Sequence, residues 1–157
     1  MSNIAHPGVE LEDNVIAYVH YKNGAQGIVQ ASTALWPGTD IRIEINGTNG
    51  TAIMVGEKVE TWKFRDEKPK DEEIRSYGSA AQATGAGGAA DFGYYDHMVV
   101  VQDLVDAVSK NREVIIPVTS VRNTVELMLA MYQSDAYNKP VEFPVKDDES
   151  IWDVKVK

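Results

Sequence analysis

The stretch Asp40-Ile-Arg-Ile-Glu-Ile-Asn-Gly-Thr-Asn-Gly-Thr-Ala-Ile-Met-Val55 decides the architecture of this chain. Ile41, Ile43 and Ile45 fall on one side of an extended strand while Arg42 and Glu44 fall on the other, the period of two that marks a half-buried strand. Asn49-Gly50 carries turn chemistry, so the chain reverses into Thr51–Val55 and the two strands pair antiparallel. Upstream, Asn14-Val-Ile-Ala-Tyr-Val-His-Tyr21 is rich in β-branched and aromatic residues and runs into Asn23-Gly24. A two-residue type I′ turn there predicts a hairpin with Tyr21 opposite Gln26 and Val19 opposite Ile28. Gly27–Leu35 is the returning strand, ended by Trp36-Pro37-Gly38, because proline cannot donate to a ladder. Downstream, Glu57-Lys58 turns the chain into Val59-Glu-Thr-Trp-Lys-Phe64, so successive hairpins build a mainly antiparallel sheet.

Composition changes after Phe64. Arg65 to Arg75 is almost all charge, and Gly78 to Gly93 is mostly Gly, Ala, Ser and Thr with Phe92 as its main anchor, so residues 65–93 are expected to form a mobile excursion. Order resumes at His97 with a helix to Val108, whose Val101, Leu104, Val105 and Val108 form one apolar stripe suited to cover a sheet face. Glu113-Val-Ile-Ile-Pro117 reads as a short strand. Thr119 or Ser120 then caps a second helix with Val121, Val125, Met128, Leu129 and Tyr132 on its inner side, and Asn138 followed by Pro140 stops it. Val141-Glu-Phe-Pro144 reads as a last strand, and residues 146–157 are a charged tail carrying Ile151 and Trp152. The expected fold is α+β: an open, mainly antiparallel but mixed sheet of about six strands over residues 1–145, with two helices packed on one face. The other face is open, and an exposed sheet surface with apolar side chains predicts a homodimer or higher homo-oligomer.

Bulk properties narrow the class. The chain has 157 residues, 43% of them hydrophobic, which suits one domain with a real core. Its 15 Lys and Arg against 24 Asp and Glu give a net charge of −9, which argues against nucleic acid or an anionic membrane as partner. There is no cysteine, which excludes disulfides, thiolate zinc sites and a cysteine nucleophile and is compatible with a reducing compartment. The N-terminus lacks a basic segment followed by an apolar run, and no stretch suffices to span a bilayer, so a cytoplasmic location is the expectation.

Several short strings recur in a fixed order: Tyr21-Lys22-Asn23-Gly24-Ala25, Gly47-Thr48-Asn49-Gly50-Thr51-Ala52, the helix begun by His97, Ala130-Met131-Tyr132-Gln133-Ser134 and Lys139-Pro140-Val141. None is specific alone, but their order and spacing resemble the C-terminal domain of the glucose-fructose oxidoreductase, inositol dehydrogenase and rhizopine-catabolism (Gfo/Idh/MocA) family over roughly residues 5 to 144. Ala5-His6-Pro7-Gly8-Val9-Glu10 also resembles the stretch that precedes the family's first hairpin. The resemblance implies a separate N-terminal Rossmann domain that holds NAD or NADP and is missing here, with this domain walling the substrate cleft and often pairing with a second subunit. It implies a sugar, polyol or related hydroxy compound as substrate. The family's usual catalytic pair, an Asp and a His four residues later, is expected upstream of Met1, and no Asp-x-x-x-His spacing occurs in this chain. No catalytic residue, cofactor-binding residue or metal ligand is therefore assigned within it.

Two strings mimic missing parts. Gly85-Ala86-Gly87-Gly88-Ala89-Ala90 satisfies a dinucleotide fingerprint formally, but Ser79 to Thr84 before it do not read as a buried strand. Glu67-Lys68-Pro69 matches a Glu-Lys-Pro motif of the family's nucleotide domain yet sits in a solvated charge run. Of the three histidines, His6 and His20 read as structural. His97 stands where the loop meets the edge of a cleft, so it is a substrate-lining candidate, with simple initiation of the helix as the other reading and Asp96 as the helix's alternative cap. Tyr94, Tyr95 and Trp36 are further lining candidates, since aromatic rings stack on sugar faces; core or subunit packing is the competing use. Arg42 and Glu44 read as solvated or as part of a dimer contact. Two functions stay open: a part of an oxidoreductase, inactive in isolation, or a free-standing, non-catalytic binding and self-association protein.

Overall fold

The computed structural model describes residues 1–78 and 94–146. The chain divides into two compact units, one of Met1–Trp36 with the residues from Val101 onward, the other of Pro37–Val100. It is an α+β protein, and its described strands form two antiparallel sheets of two and three strands. The single sheet of about six strands expected from the sequence does not form among the described residues.

In the first unit, β1 (Asn14–His20) and β2 (Gln26–Ser32) make the expected hairpin with a different register. Val19 lies opposite Gly27 and His20 opposite Gln26, one residue away from the type I′ expectation. The cause is the loop. Gly24 N–H donates to Tyr21 O at 2.9 Å, Tyr21 N–H donates to Ala25 O at 2.9 Å, and Gly24 takes φ +87°. A type I turn with a left-handed third residue needs that glycine, whereas type I′ would also require positive φ at Asn23, which does not have it. Val15, Ala17 and Val19 consequently share one face with Ala31, Val29 and Gly27, while Ile16, Tyr18 and His20 share the exposed face with Gln30, Ile28 and Gln26.

The second unit holds β3 (Arg42–Asn46), β4 (Gly50–Val55) and β5 (Lys58–Phe64) in that spatial order. Residues directly opposite share a face: Ile43, Met54 and Val59 in one row, Ile45, Ala52 and Trp62 in the next. Arg42, Glu44 and Asn46 lie on the other face with Val55, Ile53 and Thr51. A bulge between Ile53 and Met54 leaves Glu60 without an opposite residue. Gly50 is required where β5 crosses closely, since a Cβ there would lie 2.4 Å from Lys63 O.

The charge-dense run contains a short helix, α1 (Asp71–Arg75). Trp62 Nε1 donates to Asp71 Oδ1 at 2.9 Å and Lys68 N–H to Asp71 Oδ2 at 2.6 Å, while Arg75 Nε donates to the Trp62 carbonyl at 3.1 Å. Glu67-Lys68-Pro69 thus leads into a helix held on β5. The remainder of the expected excursion, residues 79–93, lies outside the described residues, as do Gly85–Ala90, Phe92, Ile151 and Trp152.

α2 (Tyr95–Lys110) and α3 (Val118–Tyr137) are the two expected helices. Asn111 and Asn138, at φ +49° and +50°, close them in the left-handed conformation, and Arg112 N–H returns to Ala107 O at 3.0 Å. Pro117 precedes α3 in extended conformation, and the Ser120 hydroxyl donates to its carbonyl at 2.7 Å, so neither Thr119 nor Ser120 is the cap. Residues 113–117 do not form the expected strand: Ile115 N–H donates to Asp103 Oδ2 at 2.8 Å, and the same carboxylate takes Arg112 at 2.6 Å. These groups bond a side chain of α2 instead of a ladder. Residues 141–144 likewise form no strand.

The apolar stripe of α2 is not covered by a sheet among the described residues, for Val105 is 55% and Val108 77% exposed. On α3 the buried positions are Ala130 and Gln133 rather than Val121, Val125 and Met128. Polar side chains serve there because each has a main-chain partner: Gln133 Nε2 donates to Lys146 O at 3.2 Å, and Val145 N–H donates to Glu126 Oε1 at 2.7 Å.

Asp71 generates a stability test. The Trp62 hydrogen bond, with the Lys68 main-chain N–H behind it, holds this carboxyl below the usual carboxylate range. A depressed folded pKa means the contribution is present above the unfolded value of about 3.9 and lost as pH falls through the folded one. Asp71→Asn is expected to lower the thermal midpoint by a few degrees at neutral pH, with the difference from the parent vanishing in acid. Equal midpoints at neutral pH would contradict the clamp.

Candidate functional site

Three of the four lining candidates share one helical turn. Tyr94 accepts the Met98 N–H at 2.9 Å and thus occupies the cap position, with Tyr95 and His97 in the first turn of α2. Asp96 is a helical residue in that turn, favourable beside the positive end of the helix dipole, and is not the cap. Tyr94, Tyr95 and His97 are all exposed, Tyr94 at 80% and Tyr95 at 58%. Trp36, the fourth candidate, is 93% exposed in the segment after β2 and belongs to the other unit.

The remaining histidines have structural partners. His6 Nδ1 is 3.0 Å from Asp13 Oδ2, and the same buried carboxylate accepts the main-chain N–H groups of Ile4, Ala5 and His6. Burial pushes Asp13 up, but the donors from Ala5, Ile4 and His6 together outweigh it and hold the carboxyl below its ordinary value. The His20 ring meets Tyr18 edge to face with centroids 4.9 Å apart. Among the described residues no three His, Asp or Glu side chains converge as metal ligands.

Sequence reading did not locate the cleft of about 580 Å³ lined by Gly38, Thr39, Asp40, Arg42, Val55 and Glu60. Arg42 in its lining pairs with two carboxylates: its Nη2 donates to Glu44 at 2.8 Å and its Nη1 to Glu60 at 3.2 Å. The Glu44 carboxylate, aided by Glu60, pushes Arg42 up, while the Asn46 amide and then Arg42 hold Glu44 down. Arg42 and Glu44 therefore stay charged across the neutral range; they can orient a polar ligand, not shuttle a proton. Alternation revealed Arg42 and Glu44, but Glu60 joins them through a bulge, which has no sequence signature here.

A second polar pair joins the segment before β1 to α3. The Tyr132 hydroxyl donates to Glu12 Oε1 at 2.5 Å, and Glu12 Oε2 is buried without a hydrogen-bond partner among the described residues. The Glu12 hydrogen bond, then burial and the carboxylate's charge, push the Tyr132 phenol up to about 12. The fold favours the neutral phenol, so this pair's contribution is whole below the ordinary tyrosine value of about 10 and lost as pH rises through about 12. An alkaline absorbance titration should show one of the seven tyrosines ionising late, and Glu12→Ala should return it to the main group. A titration without a late tyrosine, or one unchanged by Glu12→Ala, would contradict the pair.

No described helix is long and apolar enough to cross a membrane. Residues 2–143 match the family model described as oxidoreductase family, C-terminal alpha/beta domain. Neither the curated proteins nor the solved structures yield a match to the chain. The family match spans nearly all of the 157 residues and both units, and the chain belongs to the Gfo/Idh/MocA oxidoreductase family through its C-terminal alpha/beta domain.

Proposed function

We propose that this domain is the substrate-facing and self-associating part of an NAD(P)-dependent oxidoreductase acting on a sugar, polyol or related hydroxy compound. The observation that carries the reading is the match of residues 2–143 to the C-terminal alpha/beta domain of an oxidoreductase family. Hydride transfer needs a bound nicotinamide and a positioned acid/base for the hydroxyl proton. In this reading both come from a separate Rossmann domain. The described strands fit that division, because all of their pairings are antiparallel, whereas a dinucleotide fold is built on parallel βαβ units.

Tyr94, Tyr95 and His97 at the start of α2 are the residues offered to the substrate, and Trp36, in the other unit, is a separate candidate. Their exposed rings and imidazole suit a ligand with apolar ring faces and hydroxyl edges. The exposed β1–β2 face, with Ile16, Tyr18 and Ile28, and the exposed isoleucines of β3 support self-association as a homodimer or higher homo-oligomer.

Calorimetric titration of the purified chain with NADH or NADPH is expected to show no saturable heat. Joined to a nucleotide-binding domain of the same family, it should support polyol-dependent reduction of NAD⁺ or NADP⁺. In that joined enzyme Tyr95→Ala or His97→Ala should raise the substrate KM by about tenfold and leave the nucleotide KM unchanged. Turnover by the chain unaided, or a KM indifferent to both substitutions, would overturn the reading.

A further inference from the structure

The chain holds three asparagine-glycine pairs: Asn23-Gly24, Asn46-Gly47 and Asn49-Gly50. Each has the same latent chemistry, because glycine has no side chain to keep its amide nitrogen from the side-chain carbonyl carbon of the asparagine before it. The fold treats the three differently. Two are tied at both reacting ends. Asn23 Oδ1 accepts the Ala25 N–H at 3.0 Å, and the Gly24 N–H is held by Tyr21 O at 2.9 Å. Asn46 Nδ2 donates to Glu44 Oε1 at 2.8 Å, its Oδ1 accepts the Thr51 hydroxyl at 2.9 Å, and the Gly47 N–H is held by Gly50 O at 2.9 Å.

Asn49-Gly50 lacks these restraints. The Asn49 side chain makes no hydrogen bond among the described residues, and the Gly50 N–H reaches Gly47 O only at 3.3 Å. The cause lies in the loop. Thr48 and Asn49 alone join Gly47 to Gly50, and neither takes positive φ. A two-residue loop without positive φ lacks the twist that fits paired strands, so its closing bond is long. The Arg65 N–H, in turn, donates to Asn49 O at 2.8 Å. When the Gly50 nitrogen loses its proton, amide resonance spreads the negative charge onto that same oxygen, where the Arg65 donor stabilises it. Asn49, Gly50 and these partners all belong to the Pro37–Val100 unit.

We infer that the fold singles out Asn49, of the three pairs, as a site of spontaneous deamidation in the β3–β4 turn. The Gly50 amide nitrogen gives its proton to hydroxide and attacks Asn49 Cγ. A new N–C bond closes a cyclic imide, and the side-chain nitrogen takes a proton from water and leaves as ammonia. Water then opens the imide at either carbonyl, leaving aspartate or isoaspartate at residue 49. No redox partner is needed. Each conversion adds a negative charge to a chain of net charge −9, and the isoaspartate branch lengthens the main chain inside the turn. The turn leads directly into the Asn46–Thr51 bond, from which Glu44 and Arg42 follow in one hydrogen-bonded series, so lengthening it loosens the polar face of β3 from its end.

Incubation of the purified chain in mildly alkaline buffer, followed by peptide mapping with mass spectrometry, reads each site separately. Trypsin releases Ile43–Lys58 as one peptide holding Asn46 and Asn49, whose fragment ions distinguish the two. In the folded chain Asn49 should convert at least about fivefold faster than Asn23 or Asn46, the rate factor set by one net hydrogen bond. In denaturant the three rates should draw together. Asn49→Ser should abolish the fast mass gain; it keeps Gly50 and so avoids the 2.4 Å approach that a Cβ there would make to Lys63 O. Thr51→Val removes one bond to Asn46 and should speed conversion at Asn46 by about fivefold. Equal rates at the three sites of the folded chain would overturn the inference. So would a lead for Asn49 that denaturant leaves unchanged, since the neighbours in sequence and not the fold would then set it.

Discussion

The two-residue alternation of side chains along antiparallel strands is the constraint from which the other features follow. Because successive residues point to opposite faces, a single choice of register decides which side chains each sheet buries and which it exposes. In the β3–β5 sheet that choice gathers Ile43, Ile45, Met54, Val59 and Trp62 on one face and gives Arg42, Glu44 and Asn46 the other. The polar face is then internally bonded, with Arg42 held by Glu44 and Glu60 and Asn46 donating to Glu44 at 2.8 Å. Such exposed pairs contribute little to stability and mainly fix which charges this face presents.

Three aspartates act as anchors for main-chain and indole N–H groups. Asp13 gathers the turn from Ile4 to His6, Asp71 ties α1 to Trp62, and Asp103 fixes the connection between α2 and α3. Each is held below the usual carboxylate range, and each stays ionised at neutral pH. A group in that state is a poor general acid. These three carboxylates therefore serve the frame of the domain and not proton transfer.

Much of this was legible in the residues. The alternation of Ile41 to Ile45, the order of hairpins and helices, the stop at Asn138 and the family itself follow from pattern and spacing. The failures have physical causes. Asn23-Gly24 suits two hairpin loops that differ by one residue, and only the sign of φ at Asn23 separates them. The run Val114-Ile115-Ile116 has strand composition, but a strand needs a neighbour, and Ile115 N–H found Asp103 first. Helix α1 was hidden in a charge run because its anchor is the distant Trp62. The helical stripes have the period of a core face, yet burial depends on what faces them, which periodicity does not encode. At the site, the turn from Tyr94 to His97 was recoverable as the start of a helix, while Glu60 and its cleft depend on a bulge.

The register of β3 on β4 is the proposition on which the face assignments depend, and amide hydrogen exchange followed by NMR reads it directly. The N–H groups of Ile43 and Ile45 should exchange slowly, being bonded to β4. Fast exchange at both isoleucines would contradict the account.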